Sequence, residues 1–258
     1  MAGVTVPAQA PADLVVVPGL GLAGEAYAGF AAALAGADVH CRPLPGYGLP
    51  AARTTDLSPP ALARRLLAAG LVGGGPVAGG PVDSSPVGDR SGAAPAPVVL
   101  LGHSASCQVV TELAAMAPER VAALVLVGPT TDPRAATWPR LVGRWLATAA
   151  SERPGQVPTL ARVYARTGLG SMRRGMGDAR RHRIQDVVPR VRCPVLVVRG
   201  RRDRIAPVDW VRSLARQAGG IAVTLPAGAH MVPLTHPRLL AAAVQEWLVQ
   251  RAVTPPAP

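Results

Sequence analysis

The chain is predicted to fold as a mostly parallel β-sheet with helices on both faces. Three observations carry that reading. Four short apolar runs, "DLVVVPG" (13–19), "PVVLLG" (97–102), "VAALVLVG" (121–128) and "CPVLVVRG" (193–200), each close on glycine. Such near-continuous runs fit strands buried on both faces, whereas a half-exposed strand would alternate. Helical patterns lie between the runs, and this alternation signals parallel strands joined by crossovers. Finally, 49% of the 258 residues are hydrophobic and only 3% are aromatic. That suffices for one sizeable core, built from Val, Leu, Ala and Ile.

In chain order, the first run is a strand and residues 23–35 a helix. "ADVHCRPL" (37–44) is a weaker strand candidate. A helix follows over 59–69, with Ser58 placed to cap it and Pro59 and Pro60 in its first turn. Residues 70–96 are rich in Gly, Pro, Ser and Ala without periodicity, which predicts a flexible, disordered surface loop. The second strand then leads to a helix over 105–117 and to the strand at 121–128. Residues 129–192 far exceed one crossover helix. They hold two amphipathic candidates, "WPRLVGRWLATAA" (138–150) and "VPTLARVYARTGL" (157–169), and read as a helical insertion above the sheet edge. Beyond the strand at 193–200 come a helix over 207–218, a weak strand "GIAVTLP" (220–226) and a helix over 236–250. The division expected is a core of 1–128 and 193–258 with a helical unit of 129–192 inserted in it.

The formal charge is +12, and every basic residue is Arg. Thirteen of the 27 arginines lie between Arg134 and Arg192. A nucleic-acid binder would show a basic stripe with aromatics or a known module; neither is visible, so no nucleic-acid partner is expected. The basic region reads as a solvated subdomain or as an attractor of an anionic substrate. No apolar run approaches the ~18 residues of a membrane span. The N-terminal stretch lacks the early Arg or Lys of a signal peptide. A soluble, cytoplasmic monomer or homodimer is the expectation. Cys41, Cys107 and Cys193 form no CxxC or Cys/His metal spacing. Cys41 and Cys193 read as core residues, and Cys107 as a thiol at a helix start. With no metal-ligand cluster, Walker loop or GxGxxG turn, no metal and no cofactor are expected.

The most informative stretch is "LGHSAS" (101–106), which puts Ser104 where a buried strand must turn into a helix. A serine on such a sharp turn is a nucleophile elbow, usually G-x-S-x-G. The turn needs small residues two before and two after the serine, here Gly102 and Ser106. A serine at neutral pH needs a base, and the base an orienting acid, in the chain order Ser, Asp or Glu, His. Asp203 follows the strand that ends at Gly200, and its neighbours Arg201, Arg202 and Arg204 are expected to keep it ionised. His230 lies in "AGAH", ahead of the last helix. Both stand past the carboxyl end of a strand, where such sheets build their sites. The turn Pro18-Gly19-Leu20-Gly21 and the helix start supply backbone N–H groups, of which those of Leu20 and Ala105 are the expected oxyanion pair. Asp132 is the competing acid. His40, His103, His182 and His236 read as structural or solvated, and Asp209 as complementing a helix start.

Together "VVPGLG", "PLPGYG" (43–48), "LLGHSAS", "GRRD" and "AGAH" resemble the α/β-hydrolase superfamily over about 15–240. "HSASCQVVTELAAMAPERVAALVLVGPTTDP" (103–133) is similar to bacterial members in particular. The resemblance implies a cap inserted after the family's sixth strand, here 129–192, which shapes the acyl pocket. Trp138, Leu141, Trp145 and Met231 are the pocket residues expected, with Leu160, Val163 and Tyr164 on the same helical faces. Pro18 stands where the family carries His, so a hydrogen bond that normally fixes the oxyanion loop is expected to be missing. Ser106 stands where the family carries Gly. With only about 12 residues before the first strand, the family's opening hairpin is expected to be shortened or absent. Superfamily epoxide hydrolases and haloalkane dehalogenases use Asp at the elbow, so Ser104 disfavours those activities. The resemblance implies an acyl-enzyme and a small-molecule acyl substrate. A carboxylic ester is the first expectation; thioester, lactone, amide and carbon–carbon bonds use the same residues. A ligand receptor with negligible turnover and a scaffold with a decayed site are the rival classes.

Overall fold

The structure, a computed structural model, describes residues 13–72 and 96–253. Strand β1 (Leu14–Val17) leads through a 3-10 turn to α1 (Ala28–Ala33) and β2 (Val39–Cys41). Two short strands, β3 (Leu44–Pro45) and β4 (Gly48–Leu49), precede α2 (Pro59–Ala68). Next come β5 (Val98–His103), α3 (Ser106–Met116) and β6 (Val121–Val127). Between β6 and the next sheet strand the chain forms α4 (Trp138–Ala149), α5 (Val157–Thr167), α6 (Leu169–Ala179) and α7 (Ile184–Val187). It ends with β7 (Val195–Gly200), α8 (Val208–Gln217), β8 (Ile221–Leu225), α9 (Val232–Thr235) and α10 (Pro237–Val253).

Six strands form one sheet in the order β2-β1-β5-β6-β7-β8, every pair parallel. The chain leaves β1 towards β2 on one side and returns to β5 on the other. The carboxyl ends of β1 and β5 therefore flank a topological switch point, where a crevice opens because the connections diverge. β3 and β4 pair separately beside it.

Side chains alternate along each strand, so one strand feeds two cores. Val15, Val17, Leu100 and Val197 pack with Leu66 of α2, Leu113 of α3 and Leu214 of α8. Leu14, Val16, Leu101 and Val198 pack with Phe30 of α1 and Val244 of α10. β1 is buried throughout, which explains why its run carries no polar residue. The helix expected over 23–35 starts as a 3-10 turn at Gly24–Ala26 and is helical only over α1. Helix α6 has no counterpart in the expected elements. The readings of a shortened opening hairpin and, for the most part, of a flexible 70–96 segment fall on residues outside those described.

Candidate active site

Ser104 sits just past β5 with φ 58°, and among the described residues it is the one non-glycine residue with positive φ. That conformation costs an L-residue ~1–2 kcal/mol, so the surroundings must enforce it. They do so by contact. A Cβ on Gly102 would lie 2.6 Å from Val110 Cγ2 and 2.9 Å from the backbone of Cys107, so β5 and α3 meet only if residue 102 is glycine. Ser106 does more than stay small. Its buried hydroxyl accepts the His103 N–H at 2.8 Å and donates to the Val17 carbonyl at 2.7 Å. The end of β5 is thus stitched to the end of β1, a bond that the glycine usual at this position cannot make.

The serine hydroxyl lies 2.9 Å from His230 Nε2, and His230 Nδ1 lies 2.9 Å from Asp203 Oδ2. An ionised carboxylate only accepts, so Nδ1 carries the proton and Nε2 is left to accept from Ser104. Asp203 is 1% exposed. Its other oxygen accepts the N–H groups of Ile205 and Ala206 at 2.9 and 3.0 Å. Burial pushes the carboxyl up, but the His230 ring, the Ala206 amide and the charge of Arg199 outweigh it and hold Asp203 below the usual range. Arg201, Arg202 and Arg204 do not have the part expected of them: their side chains are exposed, and the nearby cation is the buried Arg199. Burial likewise pushes the His230 ring down, while Asp203 outweighs it and the net shift is upward. Asp132, the competing acid, is turned to Arg134 and Arg144 at 2.8 and 2.6 Å instead. Gly128, at the end of β6, closes the far side. A Cβ there would stand 3.1 Å from both Asp203 Oδ2 and His230 Nδ1.

The turn Pro18–Gly21, the expected oxyanion loop, is held from an unexpected quarter. Pro18 provides no side-chain bond, yet the Gly19 N–H is donated to the Tyr27 hydroxyl at 2.8 Å. That hydroxyl lies 2.9 Å from His103 Nδ1, and His103 Nε2 lies 3.0 Å from the His230 carbonyl. A carbonyl can only accept, so Nε2 bears the proton and Nδ1 accepts from Tyr27. Burial holds His103 down to about 3, so the ring stays neutral. One unbroken chain of hydrogen bonds therefore joins the turn at Gly19 to the loop that carries His230. The Gly21 N–H adds a bond to the Gly46 carbonyl, in the "PLPGYG" turn. Among the described residues, no acceptor faces the N–H of Leu20 or of Ala105. Both amides are free to receive an oxygen.

The sequence model of the alpha/beta hydrolase family matches residues 14–243. The chain belongs to the alpha/beta hydrolase family. No curated protein sequence matches it. Among solved structures, the hydrolase olei00960 from Oleispira antarctica is 11% identical, with a TM-score of 0.71 over 94% of this chain and 93% of that one. The enol-lactonase from Burkholderia xenovorans LB400 is 18% identical, with a TM-score of 0.64 over 93% of this chain and 92% of that one. A thermophilic esterase from Thermogutta terrifontis is 18% identical, with a TM-score of 0.58 over 94% and 91%. At such identities the likeness establishes the fold alone.

In this alpha/beta hydrolase, Ser104 and His230 open onto a cavity of about 510 Å³. Trp138, Leu141, Trp145 and Met231 all line it, as do Leu160 and Tyr164 of α5. Val163 does not; it is 1% exposed and packs into the core beneath. Met172 and Met176 of the unanticipated α6 also line the cavity. At its rim Glu152 accepts the Met231 N–H at 2.8 Å, a link between the α4–α5 connection and the residue after His230. The remaining histidines lie elsewhere: His40 against Asp13 at 3.2 Å, His182 against Glu112 at 2.7 Å and His236 against Thr235 at 2.9 Å. Cys107 is fully buried, which pushes its thiol well above the usual range. Among the described residues no group of three His, Cys, Asp or Glu side chains is placed to hold a metal ion. Nor is any helix long and apolar enough to cross a membrane.

Proposed function

We propose that the chain is a serine hydrolase that cleaves carboxylic esters through an acyl-enzyme. The observation that carries this reading is the unbroken Ser104–His230–Asp203 hydrogen-bonded row opening on an apolar cavity. Ser104 Oγ attacks the ester carbonyl carbon while its proton passes to His230 Nε2. The negative oxygen of the tetrahedral intermediate is received by the N–H groups of Leu20 and Ala105. Collapse breaks the bond to the alcohol oxygen, which leaves with the proton from His230. A water then attacks the acyl carbon, gives a proton to Nε2, and collapse returns that proton to Ser104 as the acid departs. Asp203 keeps its own charge throughout and stabilises the imidazolium in each half-reaction.

The residues that line the cavity beside the reacting serine favour an apolar acyl group: two tryptophans, four leucines and three methionines among them. In this reading 129–192 is a cap that selects acyl length and shields the acyl-enzyme from water. Lactones are the second substrate class, since the same row opens a cyclic ester by the same steps. The test is turnover of a p-nitrophenyl ester series beside covalent labelling with a fluorophosphonate. Ser104→Ala should lose both, with kcat falling on the order of 10⁶. Retention of more than about a tenth of kcat would overturn the nucleophile, since that is a loss of only ~1.4 kcal/mol. Labelling without turnover would make the chain a receptor.

A further inference from the structure

Helix α4 has two working faces. Trp138, Leu141 and Trp145 face the serine cavity, while Arg140, Gly143, Arg144 and Ala147 line a separate cleft of about 970 Å³. The opposite wall of that cleft is the loop from β7 to α8, with Arg201, Arg202 and Arg204. Arg134 and the buried Arg199 complete the lining.

The acids nearby are already spent. Asp132 is shared by Arg134 and Arg144, and Asp209 is paired with Arg134. Asp203 lines the cleft, but its carboxyl oxygens face His230 and the amides of Ile205 and Ala206. Arg199 is consumed by the carbonyls of Ala206, Arg201 and Asp203. Arg140, Arg201, Arg202 and Arg204 are left without a carboxylate among the described residues, brought to one concave surface from two elements some 60 positions apart in the chain. Elsewhere several exposed arginines are neutralised where they stand, as Arg181 is by Asp178 and Arg183 by Asp186. Like charges gathered around one cleft add up to a positive potential there. Guanidinium forks match the oxygens of phosphate in pairs, and the cleft is far larger than a single halide needs.

We propose that this cleft is a binding site for a phosphate- or pyrophosphate-bearing small molecule. It is distinct from the serine cavity and lies one helix away from it. Thr148 of α4 lines that cavity and accepts the Arg204 N–H at 3.1 Å, so the two sites share a wall. The phosphate belongs either to the leaving group of an acyl donor or to a separate effector.

The test is titration calorimetry of the full chain with inorganic pyrophosphate, against sulfate at matched ionic strength. The result expected is saturable binding at one site. Arg201→Ala/Arg202→Ala should weaken it by about tenfold or more, the scale of losing charge-assisted hydrogen bonds. The control Arg64→Ala/Arg65→Ala removes the same charge from the exposed face of α2 and should leave affinity within about twofold. Absence of saturable binding, or equal losses in the two double variants, overturns the proposal. Calorimetry needs no turnover, so the site and the proposed hydrolysis stand or fall separately. Two kinetic arms assign the source. If pyrophosphate competes with a coenzyme A thioester but spares a neutral p-nitrophenyl ester, the site takes the leaving group. If it alters kcat on the neutral ester, the site takes an effector.

Discussion

Replacing Tyr27 with phenylalanine removes one oxygen and strands two buried groups. The hydroxyl accepts the Gly19 N–H and faces His103 Nδ1, and Tyr27 and His103 are both 0% exposed. Bulk solvent does not reach them, and the ring cannot adapt by moving its proton, because Nε2 must keep it for the His230 carbonyl. Each orphaned group costs ~1–3 kcal/mol, so a loss of about 2–4 kcal/mol is expected after some relaxation. For a domain of this size that lowers Tm by about 4–16 °C. The effect on rate comes from the loop that carries the Leu20 amide. Losing an oxyanion donor outright costs ~10²–10³ in kcat, so a donor merely loosened should cost about 10–100-fold, with KM little changed. Thermal melting and p-nitrophenyl ester kinetics measure both. Tyr47→Phe is the matched control: its hydroxyl is buried without a partner among the described residues, so its removal should be neutral or stabilising. If Tyr27→Phe keeps kcat within about threefold and melts like Tyr47→Phe, the hydrogen-bonded chain has no part in holding the loop.

Activity should require neutral His230. Its pKa is raised above 6.5, so kcat/KM should fall as pH drops through a single ionisation above that value. Asp203→Asn should move that midpoint down and cut kcat by about 10⁴; an unmoved midpoint would assign the ionisation to another group. The same raised pKa means that the His230–Asp203 pair stabilises the fold fully below about 6.5 and that this contribution is lost as pH rises through the folded value, which melting against pH would show. Gly128→Ala adds a methyl 3.1 Å from Asp203 Oδ2 and His230 Nδ1 at a residue with φ 55°; kcat should fall about tenfold or more, and wild-type kinetics would show that the row tolerates displacement. Ala149→Trp narrows the serine cavity and should shift preference to shorter acyl chains more than it changes the rate on acetate esters; an unchanged acyl-length profile would separate α4 from specificity.

Much of this molecule is legible residue by residue. The strands show in the sequence because a strand buried on both faces must be apolar along its whole length. Ser104, Asp203 and His230 show because each stands just past a strand and because a serine needs those two partners in that order. What does not show is whatever depends on distant segments meeting. Helix α6 escapes notice because its glycines lower helix propensity. One of them, Gly175, packs where a Cβ would come within 2.7 Å of Leu20 Cδ1 and push that side chain aside, a contact from the far end of the chain. The choice of Asp203 over Asp132 turns on which carboxylate faces the imidazole, and the arginines that claim Asp132 lie just after it and on α4. The Tyr27–His103 link joins residues 76 positions apart. Nothing around Tyr27 distinguishes it from a core aromatic, and only its burial against Gly19 makes the hydroxyl a structural donor and acceptor. The sequence by itself determined the alternating architecture and singled out Ser104, Asp203 and His230, since local burial and chemical necessity leave a trace in residue type. The tertiary structure alone decided how the turn at Pro18–Gly21 is held and where the uncompensated charge gathers, since both are set by distances between groups that no local pattern records.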